Sequence, residues 1–154
     1  MDMQSTKVDS VVIEGGEWVK DIPQMDDLEL KVRGLGCAEF KRHIARRQRA
    51  LPKGARHRDG SIDPQLQETI ATEAMIETIL LDWRNLDDGG VPVPYSKEKA
   101  REYLTNPDYR LFRDAVSWAA NTVANGDALA DDDILGNSAP TSNGSTGGAA
   151  ITTP

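Results

Sequence analysis

The chain has 154 residues, of which 38% are hydrophobic, and it carries a net charge of −7. This length suits one domain, and so acidic a chain is not a general nucleic-acid binder because the phosphate backbone repels it. The single cysteine, Cys37, excludes an internal disulfide. No apolar run approaches the ~20 residues that cross a bilayer, and the start lacks the apolar core of a signal peptide. We therefore expect a protein that stays in the cytosol of the cell that makes it, with no membrane partner.

Composition divides the chain into three parts. Residues 1–7 are polar and are expected to be flexible, and residues 8–124 are expected to form one domain. Residues 125–154 contain no Lys, Arg or aromatic residue and consist mostly of Gly, Ala, Ser, Thr, Asn and Asp. Such a segment cannot bury enough apolar surface to offset the entropy lost on ordering. It is therefore predicted to be a disordered acidic tail.

The N-terminal part of the domain has the pattern of strands. A β-branched apolar run, residues 11–13, precedes the turn signal Gly15-Gly16. Residues 28–33 then alternate apolar and charged side chains, which is the period of a strand with one buried face. These patterns predict two or three antiparallel strands at the N-terminus, the last of them ending at Gly34 and Gly36.

Helical spacing begins at Cys37, and the first helix has an apolar stripe and a polar face made almost entirely of Arg and Lys. Asp63-Pro64 starts a second helix, with a cap and a Pro at the first helical position. Its apolar pattern predicts a central helix that continues to about Trp83. We expect Ile70, Ala74 and Leu81 to share the buried face of that helix.

Two further helices are predicted after the Gly- and Pro-rich residues 85–95. Ser96 caps a short helix that ends near Leu104, and Asn106-Pro107 starts the last helix, where Phe112 and Val116 are expected to face the central helix. The predicted fold class is α+β, mainly helical. A short N-terminal antiparallel β-element is followed by about four helices and a disordered C-terminal tail.

The catalytic patterns in the chain are fragmentary. Residues 57–59 read His-Arg-Asp like a protein-kinase catalytic loop, but no Gly-rich loop precedes them and no Asp-Phe-Gly follows. Cys37 and His43 are not part of the paired ligand spacing of a zinc site. Asp59 opens a calcium-like alternation whose twelfth position is Ile70 rather than Glu. We therefore predict a non-enzymatic protein with no catalytic residue, metal site or cofactor.

Charge is distributed unevenly along the domain. Between Cys37 and Arg58 there are eight Lys or Arg residues and one acid, whereas residues 59–90 have eight acids and one base. The basic helix can pair with the acidic helix that follows, or it can be a docking patch for an acidic partner protein. Nucleic acid is the least favoured partner because no aromatic residue is interleaved for stacking. The candidate partner-binding residues are Arg42, Arg46 and Arg49, whose spacing places them on one helical face.

Two aromatic residues, Trp83 and Tyr95, flank the Gly- and Pro-rich loop. They are either core residues that hold the loop against the helices or an exposed platform for a partner, because aromatic anchors are favoured at interfaces. Both are kept as candidate partner-binding residues.

One segment, LDWRNLDDGGVPVPYSKEKAREYLTNPDYRLFRDAVSWAA, resembles the tail assembly chaperones of tailed bacteriophages in the order of its parts. An apolar stretch ends in Trp83, an acidic Gly-containing turn follows, and a Pro-Tyr-Ser phrase precedes two helices separated by Asn106-Pro107. The phrases GGEWVKDIP and LELKVRGL are similar to the start of the same proteins. The likeness covers about Gly15 to Ala124.

The resemblance implies a non-enzymatic role in the cytoplasm of the infected host. Such chaperones bind the tape measure protein, keep it soluble and help the tail tube protein polymerise, and they are not expected in the mature virion. Many of these chaperones are also made in a longer, frameshifted form. The resemblance therefore adds a longer form of this same protein to the candidate partners, beside the tape measure and tail tube proteins. Two alternatives stay open: a structural tail or head-tail connector protein retained in the virion, and a small nucleic-acid-binding regulator using residues 41–58.

Overall fold

Residues 1–126, the part of the chain that this computed structural model describes, contain five α-helices and five short strands, joined by short helical turns and loops. In chain order they are α1 Ser10–Gly15, β1 Glu17–Val19, β2 Glu29–Val32, α2 Ala38–Arg49, α3 Pro64–Ala74, β3 Leu80–Arg84, β4 Asp87–Asp88, β5 Val91–Pro92, α4 Lys97–Thr105 and α5, residues 110–126. Four helices follow the first two strands, so the predicted mainly helical α+β class is confirmed. Of the predicted tail, residues 125–154, the first two residues are helical and end α5, and residues 127–154 lie outside the described residues.

The main sheet has three antiparallel strands in the order β1-β2-β3. In β2 the side chains of Leu30 and Val32 are fully buried and their neighbours are half-buried, which confirms the predicted strand with one buried face. Two of the strands come from the predicted N-terminal element. The third, β3, comes from the middle of the chain and pairs with β2, with Leu30 opposite Trp83.

Residues 11–13 were predicted to be extended, and this prediction is wrong because they belong to α1. The carboxylate of Asp9 accepts hydrogen bonds from the backbone N–H groups of Val11 and Val12, which is the pattern of an N-cap. Gly16 ends the helix with φ +95°, a conformation that only Gly adopts readily. The local cap therefore outweighs the strand propensity of the β-branched run.

The predicted central helix also stops earlier than its apolar pattern indicates. α3 ends at Ala74, a π-helical turn covers Met75–Ile79, and residues 80–84 are β3. Leu81 therefore does not share a helix face with Ile70 and Ala74, although those two are buried as predicted.

Contacts from Arg33, the residue directly after β2, explain this change from helix to strand. The backbone N–H of Arg33 donates to the Ile79 carbonyl at 3.0 Å, and the Arg33 guanidinium donates to the Thr78 carbonyl at 2.9 Å. Within the turn, the Thr78 hydroxyl donates to the Ala74 carbonyl at 2.6 Å. The two hydrogen bonds from Arg33 are non-local, and they override the helical pattern of the sequence.

The core lies between the buried face of the sheet, the π-helical turn, α4 and α5. In α5, Phe112 and Val116 are buried as predicted. Predicted caps are also found: the Ser96 hydroxyl accepts from the Lys99 N–H at the start of α4, and the Asn106 side chain accepts from the Asp108 N–H before α5. No helix within residues 1–126 is long and apolar enough to cross a membrane.

Candidate functional site

Helix α2 exposes a basic face. Arg42, Arg46 and Arg49, predicted to share one face, are all exposed on the structure. Arg42 forms an ion pair with Glu39 one turn earlier in the same helix. Arg46 and Arg49 form no ion pair with any residue of the described chain. The structure thus brings the three candidate arginines together on one surface.

The opposite side of α2 takes part in an ion-pair network with its neighbours. Arg47 lies 3.2 Å from Glu73, which also lies 3.7 Å from Arg101 of α4. Arg101 and Lys97 both contact Glu77, and the hydrogen bond from Lys97 lowers the pKa of that carboxyl. The predicted pairing of the basic helix with the acidic segment that follows it therefore occurs at Arg47. It does not occupy the face formed by Arg42, Arg46 and Arg49.

Between α2 and the end of α5 lies an open apolar groove with a volume of about 760 Å³, here called the α2–α5 groove. Its apolar lining consists of Leu35, Phe40, Ile44, Ala45 and Ala124. No residue of α2 is fully buried, and Phe40 and Ile44 are half-buried. Within the described chain the apolar stripe of α2 is therefore only partly covered, unlike the buried stripes of α3 and α5.

Close backbone packing positions the two walls of this groove. The Gly34 N–H donates to the Ile13 carbonyl at 2.9 Å, and the Leu35 N–H donates to the Ala120 carbonyl at 3.0 Å. A Cβ at Gly34 would lie 2.8 Å from Ile13 Cγ2 and 3.2 Å from Ala124 Cα. A glycine at position 34 thus allows α5 to approach the segment that leads into α2.

The aromatic candidates hold the loop in place. Trp83 is 4% exposed, and its indole donates to the Val93 carbonyl. The Tyr95 ring packs edge-on against Trp83 with centroids 5.0 Å apart, and its hydroxyl donates to the Leu80 carbonyl. Burial raises the pKa of Tyr95. This arrangement matches the loop-holding interpretation, and it leaves Trp83 too buried to serve as an exposed platform. Tyr95 is half-buried, and its role in binding stays a prediction.

The metal-ligand candidates are separated from one another. Cys37 is buried in the core beside the first turn of α2. Asp59 accepts hydrogen bonds from the Ser61 hydroxyl at 2.6 Å and the Ser61 N–H at 2.9 Å, which lower the pKa of its carboxyl and close a turn. Within residues 1–126 no group of three or more His, Cys, Asp or Glu side chains is placed to hold a metal ion.

The sequence patterns did not predict the α2–α5 groove. They gave the apolar stripe of α2 correctly but did not indicate what covers it. A usable signal was present, because α2 is mostly polar and the stripe is narrow at Phe40 and Ile44. A stripe this narrow packs against one neighbour and leaves its outer edge open.

The geometry defines a small α+β protein whose candidate site is a surface, made of an open apolar groove beside an arginine face. The model of the YdaY prophage protein family matches residues 35–137, which is more than half of the chain. The chain belongs to this family and is therefore a phage-derived protein. Neither the curated proteins nor the solved structures contain a match to it.

Proposed function

We propose that this protein is a tail assembly chaperone that binds a helical segment of the tape measure protein along α2. One observation carries the proposal. Helix α2 combines an apolar stripe that is only partly covered with an arginine face on which Arg46 and Arg49 form no ion pair within the described chain. An amphipathic helix binds such a groove through its apolar face. Its anchoring side chains are spaced three and four residues apart, and this spacing makes the binding specific. Acidic side chains at the edge of that helix would meet Arg42, Arg46 and Arg49.

The physical need for such a protein supports the proposal. A long helical tail protein has an apolar stripe that must be covered before assembly, because exposed apolar surface of that extent promotes aggregation. Membership of a prophage protein family and the resemblance of residues 15–124 to tail assembly chaperones point to the same setting. In this role the protein acts without catalysis or a cofactor, in the host cytoplasm. It also contacts the tail tube protein and leaves before the virion is complete.

Co-expression with the tape measure protein of the same phage tests the proposal. We expect the soluble fraction of the tape measure protein to rise at least several-fold, and the two chains to co-purify. The matched control is a groove variant, Ile44→Asp with Ala45→Asp, whose fold is checked by circular dichroism. Equal solubility of the tape measure protein with and without this chain would overturn the proposal.

The charge of α2 favours one further candidate, a nucleic-acid-binding regulator. Arg46 and Arg49 form no ion pair within the described chain, and such a face also suits phosphate. A gel shift with duplex DNA at two salt concentrations separates the two functions. Binding that weakens steeply with salt and is abolished by reversing the three arginines would favour the regulator.

A connector protein would instead be found by mass spectrometry in purified virions.

A further inference from the structure

A second opening in the surface lies between α3 and the connection from α4 to α5, and its volume is about 740 Å³. It is here called the α3–α4 cleft. Polar residues of α3 line one side, among them Glu68, Thr72 and Glu73. The other side carries three arginines, Arg101, Arg110 and Arg113. The cleft shares no lining residue with the α2–α5 groove, so it is a candidate site separate from the one in the proposed function.

The Thr72 hydroxyl is a buried hydrogen-bonding group that the described chain leaves unused. Thr72 is 7% exposed and lines the cleft, and its hydroxyl forms no hydrogen bond within residues 1–126. Another threonine of the same helix, Thr69, donates to the Gln65 carbonyl four residues earlier at 3.1 Å. Buried polar groups are normally paired. Because the Thr72 oxygen is not enclosed by protein, its partner can come from the cleft.

The arginines of the cleft have positive charge that a ligand can use. Arg110 is exposed and forms no ion pair with any residue of the described chain. Arg113 lies 2.9 Å from Glu68, but the Glu68 side chain is 65% exposed. An ion pair this open to water contributes little to stability, so a carboxylate of a ligand can replace Glu68 beside Arg113. Arg110 and Arg113 are three residues apart on α5 and can therefore act together.

The rest of the lining suits a peptide better than an inorganic anion or a nucleic acid. The Gln65 side chain forms no hydrogen bond within the described chain, and Asn106 uses only its oxygen, which accepts from the Asp108 N–H. Primary amides both donate and accept, as a peptide group does. Cavities of roughly 300–1,000 Å³ hold ligands much larger than one anion. Glu68 and Glu73 repel a phosphate backbone, and no aromatic residue among the described lining offers stacking to a base.

We propose that the α3–α4 cleft binds an acidic peptide segment of a partner protein, different from the helix that lies on α2. Carboxylates of the segment accept hydrogen bonds from Arg110, Arg113 and the Thr72 hydroxyl. Its backbone pairs with the side-chain amides of Gln65 and Asn106. The inference goes beyond the proposed function and does not depend on it, since the two sites share no residue. For the same reason, reversing the charge of Arg110 is expected to leave binding at α2 unchanged.

Fluorescence anisotropy of a labelled acidic peptide, EDLEDL, added to the full chain tests the inference. We expect this peptide to bind about tenfold more tightly than QNLQNL, in which amides replace the carboxylates. Arg110→Glu should weaken the binding of EDLEDL about tenfold. The matched control Lys20→Glu makes an equal change of charge at another exposed position and should bind the peptide as the wild type does. Equal affinities of the two variants would overturn the inference.

Thr72→Val separates binding from stability, because valine keeps the shape of the side chain and lacks only the hydroxyl. That hydroxyl has no partner to lose within the described chain, so the melting temperature should stay unchanged. The affinity for EDLEDL should nevertheless fall about threefold or more, as the loss of one hydrogen bond causes. Unchanged affinity of this variant would contradict the proposed site.

Amide NMR shifts locate the bound peptide. They should change at Thr72 and Asn106, whereas changes confined to Phe40 and Ile44 would place the peptide in the α2–α5 groove and overturn the inference. Inorganic phosphate that displaces the peptide at equal concentration would show a site for a single anion. Self-association of the free chain that Arg110→Glu abolishes would assign the cleft to a second copy. Either of these two results would also overturn the inference.

Discussion

The indole Nε1 of Trp83 lies 2.7 Å from the carbonyl oxygen of Val93, and this hydrogen bond fastens the β4–β5 hairpin region to the main sheet. Trp83 sits at the centre of an aromatic cluster, with the rings of Tyr95, Tyr103 and Phe112 at centroid distances of 5.0, 6.0 and 5.9 Å. The cluster joins β3 to α4 and α5. The mostly exposed loop of residues 85–95 is therefore held against the core at Leu86, Val93 and Tyr95, in agreement with the loop-holding interpretation of the two aromatic residues.

Trp83→Phe should lower the free energy of unfolding by about 1–3 kcal/mol, because the Val93 carbonyl loses its donor inside a largely buried site. Urea denaturation measures the change. Trp118→Phe is the matched control, since Trp118 is half-buried and its indole donates to no acceptor within residues 1–126. A loss as large in the control as in Trp83→Phe would show that the hydrogen bond contributes little.

Leu80→Ala should lower the free energy of unfolding by about 2–5 kcal/mol, because a fully buried side chain leaves a cavity. Leu80 is 1% exposed, whereas Leu81, the unpaired residue at the register shift of β3, is half-buried. Leu81→Ala should therefore cost less, about 1–2 kcal/mol. If Leu81→Ala proved the more costly of the two, residues 80–84 would not be a strand with this register.

Gly16→Ala should be more destabilising than Gly89→Ala. Both glycines have positive φ, +95° and +61°, and an alanine is strained at either position. A Cβ at Gly16 would also lie 2.6 Å from Cδ1 of Leu81, whereas a Cβ at Gly89 meets open space. We expect about 1–2 kcal/mol for Gly89→Ala and a larger loss for Gly16→Ala, measured by thermal denaturation.

A double-mutant cycle isolates the steric part of that loss. The variant that combines Gly16→Ala with Leu81→Ala lacks the contact between the new Cβ and Leu81 Cδ1 but keeps the backbone strain at position 16. The free energies of unfolding lost in the two single variants should therefore sum to more than the loss in the double variant. Strict additivity would mean that Leu81 does not cover Gly16.

The phenol of Tyr103 should titrate late. Burial of the ring, followed by the hydrogen bond that its hydroxyl donates to Asp88 at 3.0 Å, raises the pKa of Tyr103 to about 12. Because the folded state favours the neutral phenol, this group stabilises the fold fully below pH ~10, the usual tyrosine pKa. That contribution is lost as the pH rises toward 12.

Phenolate absorbance of the wild type minus that of Tyr103→Phe reports this titration directly. Asp88→Asn should lower the pKa of Tyr103 only in part, since burial is the larger cause. A Tyr103 phenol that ionised at the usual tyrosine pKa in the intact protein would contradict the buried position of the ring.

Local signals in the sequence were sufficient to predict where α3, α4 and α5 begin. Ser96 and Asn106 predicted the starts of α4 and α5, and both side chains accept the expected backbone hydrogen bonds. Asp63-Pro64 predicted the start of α3, although the Asp63 side chain makes no capping hydrogen bond there. Such starts depend on neighbouring residues only, so one sequence is enough to find them.

Two features that were not predicted, β3 and the α2–α5 groove, depend on distant parts of the chain, whereas α1 was missed although its cap, Asp9, is local. Residues 80–84 have a helical apolar pattern but pair with β2, about 50 residues earlier. The periodicity of a short stretch of sequence cannot indicate a partner that far away. The α2–α5 groove likewise needs the backbone contact between Gly34 and α5. The arginine face could be predicted, because Arg42, Arg46 and Arg49 follow helical spacing within one helix.

The proposed partner face of α2 is tested most directly by the association rate of the tape measure protein with a variant carrying Arg42→Glu, Arg46→Glu and Arg49→Glu. A matched control reverses Lys7, Lys20 and Arg110, which are exposed and lie outside the basic stretch of residues 37–58, and so changes the total charge equally. Circular dichroism first confirms that both variants fold.

If the α2 face meets an acidic helix, the α2 variant should associate at least tenfold more slowly than the wild type at low salt, and its rate should depend less on salt concentration. The control variant should keep most of the wild-type rate. Equal rates for the two variants would contradict the claim that this face of α2 receives the partner.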